Sequence, residues 1–157
     1  MVPDMRADDV LRLDRQICFL LYGASRAVTQ LYQPLLEPLG LTYPQYLVML
    51  VLWEEERASV GRLSERLYLD SGTLTPLLKR LEAAGLVRRQ RSTDDARVVD
   101  IFLTPAGKRL KRDARRVPEA LACRVGLTGD ELARLRRELV HLFETTRGQV
   151  EKQEKVS

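Results

Sequence analysis

Three patterns in the sequence predict the fold class. Two short apolar-periodic segments meet at a tight break between Val60 and Gly85. A basic stretch, a turn and an alternating stretch follow from Val87 to Leu103. Apolar stripes at helical spacing flank both ends. Together they predict a mainly α chain with a small β-hairpin wing: a winged helix-turn-helix at about 42–104, and a helical dimerisation bundle at about 9–36 and 105–147. The 157 residues have the length of a single domain, taken here as 1–157.

The first helix is expected from about Asp9 to Tyr32 or slightly beyond. Val10, Leu13, Ile17, Leu21, Ala24, Val28, Leu31 and Leu35 step by three or four, and Pro34 and Pro38 limit its end. So long a stripe needs more to lie against than a small domain offers, which makes a second copy of the chain its natural partner. Thr42 and Gln45 fit a capping box, with Leu41 and Tyr46 as the staple pair, and open a second helix. Its run from Leu47 to Trp53 is apolar throughout and therefore buried. Glu54, Glu55 and Glu56 suit a helix C-terminus poorly and place its end there.

Val60, Leu63 and Leu67 mark a third helix that breaks at Tyr68 and Leu69. Asp70 or Ser71 caps a fourth, Leu74, Leu77, Leu78 and Leu81 form its buried stripe, and Gly85 closes it. Off that stripe stand Ser71, Thr73, Thr75, Lys79 and Arg80, hydroxyls and cations suited to phosphates and base edges. Pro76 belongs to the same surface and falls early in the helix, where a missing N–H matters less than at its middle.

Val87 to Arg91 reads as a basic strand carrying Arg88, Arg89 and Arg91, and Ser92 to Ala96 as a turn. Val99, Ile101 and Leu103 alternate with Asp100 and Phe102, which puts the first three on a buried face. At the hairpin tip Asp95 is spaced to hold Arg97, and Arg97 is expected to reach a narrow A·T-rich minor groove. Thr104 and Pro105 open a fifth helix that Pro118 kinks or ends. Leu127 to Leu132 holds a second capping box and staple. Leu132, Leu135, Leu139, Leu142 and Phe143 then give the last helix one apolar face, with a frayed polar tail from Glu151 to Ser157.

Composition limits the function classes. Net charge is only +4, but the pI is about 9.3 and the basic residues cluster. Lys79 to Arg97 holds six Lys/Arg against three acids, and Lys108 to Arg116 six against Asp113 alone. Such clustering is the footprint of a nucleic-acid binder, here of double-stranded DNA. No apolar run approaches the ~18 residues of a membrane span. The acid-rich start, with Asp4, Asp8, Asp9 and Asp14, lacks an apolar signal core, so a cytoplasmic protein without a membrane partner is expected. There is no Gly-rich phosphate loop and no paired-carboxylate site. His141 reads as a partly buried structural residue. Two distant cysteines with one histidine make neither a metal site nor a disulfide scaffold, so no cofactor or metal is expected.

Asp95-Ala-Arg97 followed by Leu103-Thr104 resembles the wing signature of the MarR family of bacterial transcription regulators, Asp-x-Arg then Leu-Thr. Leu13-Asp-Arg-Gln-Ile-Cys-Phe-Leu-Leu-Tyr22 and Leu39-Gly-Leu-Thr-Tyr-Pro-Gln-Tyr46 are similar to the organic hydroperoxide resistance regulators within that family, OhrR. The similarity runs from about Leu11 to Arg147. The resemblance implies a homodimer with interdigitated N- and C-terminal helices, and a repressor that binds operator DNA and takes organic hydroperoxide as inducer. On its own, Cys18 sits on the shoulder of the first helix's stripe and reads as a core filler. The resemblance makes it the peroxide sensor, gives Tyr32 and Tyr43 as hydrogen-bond donors to it, and matches Cys123 to the second cysteine of two-cysteine members. Oxidation of Cys18 and a disulfide with Cys123 are then expected to release DNA.

Cys18 and Tyr32 lie fourteen residues apart, about 21 Å along a straight helix but on the same face. They cannot touch within one subunit. The sensor is therefore expected to combine Cys18 of one subunit with Tyr32 and Tyr43 of the other, and the disulfide to run between subunits. Two further readings stay open from the residues alone: a MarR-type repressor relieved by a small aromatic or phenolic ligand, and a thiol peroxidase. The latter lacks charged activating residues around Cys18 and leaves the winged helix idle, so the chain is read as a regulator and not an enzyme.

Overall fold

The computed structural model describes residues 10–93 and 95–154. Asp4, Asp8, Asp9, Asp94 and the last three residues of the expected frayed tail lie outside them. The elements run α1 (Ile17–Leu36), α2 (Tyr43–Glu55), β1 (Arg57–Ser59), α3 (Val60–Leu67), α4 (Ser71–Ala83), β2 (Val87–Arg91), β3 (Val99–Leu103), α5 (Pro105–Ala114), α6 (Val117–Val125) and α7 (Gly129–Glu154). The strands form one antiparallel sheet in the order β1-β3-β2, with Arg57 and Arg88 both opposite Phe102. This is the expected mainly α fold with a winged helix-turn-helix, enlarged by one strand.

α2 lies at the centre. Val48, Met49 and Leu52 are fully buried and meet Leu63 of α3, Leu74, Leu78 and Leu81 of α4, and Ile101 of β3. Local chemistry sets its ends. The Thr42 N–H donates to Gln45 Oε1 at 2.9 Å, completing the capping box, and Leu41 and Tyr46 are both buried. At the other end Arg62 and Arg66 of α3 pair with Glu55, and Arg66 also with Glu54. The carboxylates that suit this terminus poorly are thus neutralised from the next helix.

Tyr68 takes a left-handed conformation (φ 54°) and turns α3 into α4. Asp70 caps α4 by accepting from the Thr73 N–H at 2.9 Å. The far end closes through Gly85 (φ 72°), whose N–H bonds the Glu82 carbonyl at 2.9 Å, while the Leu86 N–H bonds Leu81 at 3.0 Å.

Several expectations need correcting. α1 begins at Ile17 rather than near Asp9, because Arg12 is extended and residues 13–15 form a 3₁₀ turn. The Gln16 side chain ties that turn to the Val10 carbonyl at 2.6 Å, and Arg12 is drawn to Asp14 at 3.0 Å. The fifth helix ends at Ala114, before Pro118, and Pro118 lies in the first turn of α6, where proline is tolerated. Asp100 is buried rather than facing solvent, because β1 makes β3 a central strand. His141 is exposed, and α7 stays helical to Glu154.

Contacts divide the chain between Leu121 and Ala122, inside α6. In the second unit α7 opens on its own capping box, with the Thr128 N–H donating to Glu131 at 2.8 Å and the Glu131 N–H to Thr128 Oγ1 at 3.3 Å. Large apolar side chains stay exposed on α1 (Ile17, Phe19, Leu20, Leu21) and on α7 (Leu135, Leu139, Val140, Leu142, Phe143). No single helix among the described residues is long and apolar enough to cross a membrane.

One backbone contact is unusually tight. A Cβ on Gly107, in the first turn of α5, would lie 2.1 Å from the Leu86 carbonyl oxygen. Gly107→Ala is therefore expected to destabilise the fold by about 1–3 kcal/mol or more, seen as a lower denaturant midpoint with an unchanged slope.

Candidate nucleic-acid interface and thiol site

The cap at Asp70 and the buried leucine stripe orient α4 so that Ser71, Thr73, Thr75, Pro76, Lys79 and Arg80 are all exposed. The Thr73 hydroxyl donates to Asp70 Oδ2 at 2.9 Å and the Thr75 hydroxyl to the Ser71 carbonyl at 2.7 Å. With their protons committed within the helix, both oxygens present lone pairs outward, where base amino groups could donate to them.

The wing arginines differ in their surroundings. Arg88 and Arg57 lie over the Phe102 ring, 5.4 and 5.8 Å from its centre. Arg89 is held by Glu82 of α4, its backbone N–H at 2.9 Å and its Nε at 2.7 Å, and so ties the wing to the helix. Arg91 is exposed. At the tip Asp95 accepts from the Arg97 backbone N–H at 2.9 Å and from its Nε and Nη2 at 3.1 Å. The guanidinium is held at its base yet the Arg97 side chain is 91% exposed.

The carboxylates that order this surface share an electrostatic signature. Asp95 lies below its usual pKa because of the Arg97 guanidinium and backbone N–H, Glu82 because of the Arg89 N–H and guanidinium, and Asp70 because of the Thr73 N–H and hydroxyl. A lowered folded-state pKa gives stability that is in place above the unfolded value and is lost as pH falls through the folded one. Acid unfolding is thus expected to set in below the ordinary carboxylate values of 3.8 and 4.5. Glu82→Gln should flatten that limb of a melting-temperature profile while leaving stability nearly independent of pH from 6 to 8.

Cys18 is the second residue of α1, and both Cys18 and Cys123 are exposed free thiols. Tyr32 and Tyr43 come together, ring centres 4.7 Å apart, with Tyr46 5.8 Å from Tyr32. Burial, then the neighbouring Tyr43 and Tyr46 hydroxyls, push the Tyr32 phenol up to about 12, so it is a neutral donor at physiological pH. Because α1 runs unbroken from Ile17 to Leu36, Tyr32 stands about 21 Å from Cys18 of its own chain. Beside the tyrosines a cleft of about 530 Å³ is lined by Thr29, Gln33, Leu36, Thr42 and Tyr43. Among the described residues no cluster of three His, Cys, Asp or Glu side chains could hold a metal ion.

Two neighbours of these surfaces carry little local signal: Arg57 lies on a strand too short for alternation to reveal it, and Tyr46, whose spacing marks it as a staple residue, also packs beside Tyr32.

Comparison with known proteins gives the chain's family. Residues 30–114 match the family described as transcriptional regulator SarA/Rot. The chain is 48% identical, over 87% of its length and 93% of the relative's, to the organic hydroperoxide resistance transcriptional regulator of Bacillus subtilis. It is similar to AbfR of Staphylococcus epidermidis. Reduced, DNA-bound AbfR aligns with a TM-score of 0.71 at 38% identity over 90% of this chain and 99% of that one. Disulfide-formed AbfR aligns with a TM-score of 0.60 at 38% identity over 87% and 96%. Reduced MarR of E. coli aligns with a TM-score of 0.69 at 26% identity over 81% and 96%.

Proposed function

Because the chain belongs to the MarR family of transcription regulators, in its organic hydroperoxide resistance branch, we propose that it is a homodimeric operator-binding repressor that senses organic hydroperoxides through Cys18. It is not an enzyme: its relatives are transcription regulators. The observation that carries the redox reading is the pairing of Tyr32 with Tyr43 in a subunit whose own Cys18 is far along the same helix. The thiol's phenol donors then come from a second copy. The exposed apolar faces of α1 and α7 give that copy a surface to cover. A cytoplasmic repressor fits the same reading.

In this scheme the Cys18 thiolate attacks the terminal oxygen of the hydroperoxide. An S–O bond forms, the O–O bond breaks, and the alkoxide leaves, taking up a proton to become the alcohol. Tyr32 and Tyr43 hydrogen-bond the thiolate, and the cleft beside them accepts the organic group. The partner's Cys123 thiol then condenses with the sulfenic acid, forming the disulfide and releasing water. Formation of the bond requires Cα atoms within about 7 Å; from any greater separation in the reduced dimer, closing it drags the dimer helices and takes the two recognition helices out of register with the operator.

The reduced protein is tested by a mobility shift on its upstream intergenic DNA across a salt series. A dimer with recognition helices about 34–36 Å apart should bind, and affinity should fall about a thousandfold or more between 50 and 200 mM salt. A monomer at micromolar concentration, or binding indifferent to salt, would contradict this reading.

A further inference from the structure

A line of rings runs from the tyrosine pair into the joint between α4 and α5. Tyr46 lies 5.8 Å from Tyr32, and Trp53 6.2 Å edge-on from Tyr46, centre to centre. Tyr46 and Trp53 are both buried. The Trp53 indole N–H donates across 2.9 Å to the Gly107 carbonyl, in the first turn of α5. One turn further on, Lys111 Nζ donates to the Trp53 carbonyl at 2.6 Å. α5 therefore holds both the ring and the backbone of Trp53.

The same turn of α5 grips the end of α4. Leu86 closes the C-terminal turn of α4 and accepts from the Thr104 N–H at 3.1 Å, while the Thr104 hydroxyl donates to the Gly85 carbonyl at 2.6 Å. Gly107 packs its backbone directly on the Leu86 carbonyl, leaving no room for a Cβ. Each step of this path is a packed ring, a direct hydrogen bond or backbone against backbone. Close-packed elements shift as units rather than deform smoothly.

We propose that Tyr46, Trp53, Gly107 and Lys111 are positioning residues that convey the state of the Tyr32–Tyr43 pair to the recognition helix. The proposal rests on the redox reading above. None of the four is a donor to the thiol or stands on α4 or the wing in that reading. They act by setting whether the end of α2 stays locked to α5, and through α5 to the C-terminus of α4. Displacing the tyrosines drags Tyr46 and the end of α2, and the indole–Gly107 bond is the point at which that movement reaches α5.

Trp53→Phe keeps an aromatic ring and deletes the N–H. Lys111→Met keeps the stem and deletes the ammonium at an exposed position. The experiment measures operator Kd for reduced and hydroperoxide-treated protein, with dimedone trapping to follow sulfenic acid. Trp53→Phe should bind within about threefold of the unsubstituted protein when reduced. Lys111→Met also takes one charge from the basic stretch 108–116, a uniform loss that cancels in its ratio, and both variants should form sulfenic acid at the unsubstituted rate. The oxidised-to-reduced Kd ratio should fall about tenfold in Trp53→Phe and by less in Lys111→Met. A merely structural role would weaken both redox states alike, and an unchanged ratio in both variants overturns the proposal. Should Trp53→Phe fail to fold, the ratio for Lys111→Met decides alone. Absence of peroxide-dependent release in the unsubstituted protein instead removes the redox reading, a failure visible before any variant is made.

Discussion

Cys18→Ser stays on its operator at hydroperoxide doses that drive the unsubstituted protein off DNA. The expected difference in affinity under oxidant is about 5- to 150-fold, the usual span of coupling between a sensing site and a binding site. Serine nearly matches the thiol in size, and position 18 is exposed in the first turn of α1, so the substitution should leave the fold and reduced-state binding intact. What it removes is the nucleophile, since a neutral hydroxyl does not attack the O–O bond as a thiolate does. Cys123→Ser separates the two chemical steps. It should still form the sulfenic acid, trapped by dimedone, but no stable disulfide, and should over-oxidise at doses the unsubstituted protein survives. A Cys18→Ser protein released by peroxide as readily as its parent would move the sensor elsewhere.

The second large effect is on DNA affinity. Arg97→Ala should weaken operator binding about ten- to hundredfold, as expected for loss of one arginine inserted into a groove, and lower the slope of log K against log salt by about one. The Arg97 side chain is 91% exposed, so dimerisation and melting temperature should hardly change. Asp95→Asn gives a graded control. It breaks the ion pair that orients the guanidinium but leaves the cation in place, and should lose less affinity than Arg97→Ala. Arg89→Ala should behave differently again. Because Glu82 holds Arg89 against α4, its loss should lower stability along with affinity. Normal operator binding by Arg97→Ala would reduce Arg97 to a surface charge.

Most of the fold was legible because its signals are local. The capping boxes at Thr42 and Thr128, the Asp70 cap and the Gly85 stop are contacts within a few residues, and each falls where residue type placed it. The four-leucine stripe of α4 is buried as its spacing required. What stayed hidden depends on distant partners. β1 has three residues and exists only because β3 offers it an edge, and the burial of Asp100 follows from that pairing. The start of α1 turns on a competition between a helix and a Gln16-stabilised turn, which periodicity cannot weigh.

The candidate site divides in the same way. Exposure of the α4 hydroxyls and cations follows from helical geometry alone, and the Asp95–Arg97 pair from a spacing of two residues. The meeting of Tyr32 with Tyr43 needs the fold that brings α1 against α2. That Arg89 is engaged by Glu82, and that Trp53 is bonded to Gly107 fifty-four residues away, no local pattern could reveal.

An intersubunit disulfide that releases DNA is the central step of the proposed switch. Its most direct test takes one sample of reduced protein bound to operator, treats it with an organic hydroperoxide, and divides it between a mobility-shift gel and non-reducing electrophoresis. DNA should be freed in step with a band at twice the monomer mass, a thiol reductant should reverse both, and neither should occur in Cys18→Ser. Release of DNA by protein that runs only as monomer, or a covalent dimer that still holds the operator, would contradict it.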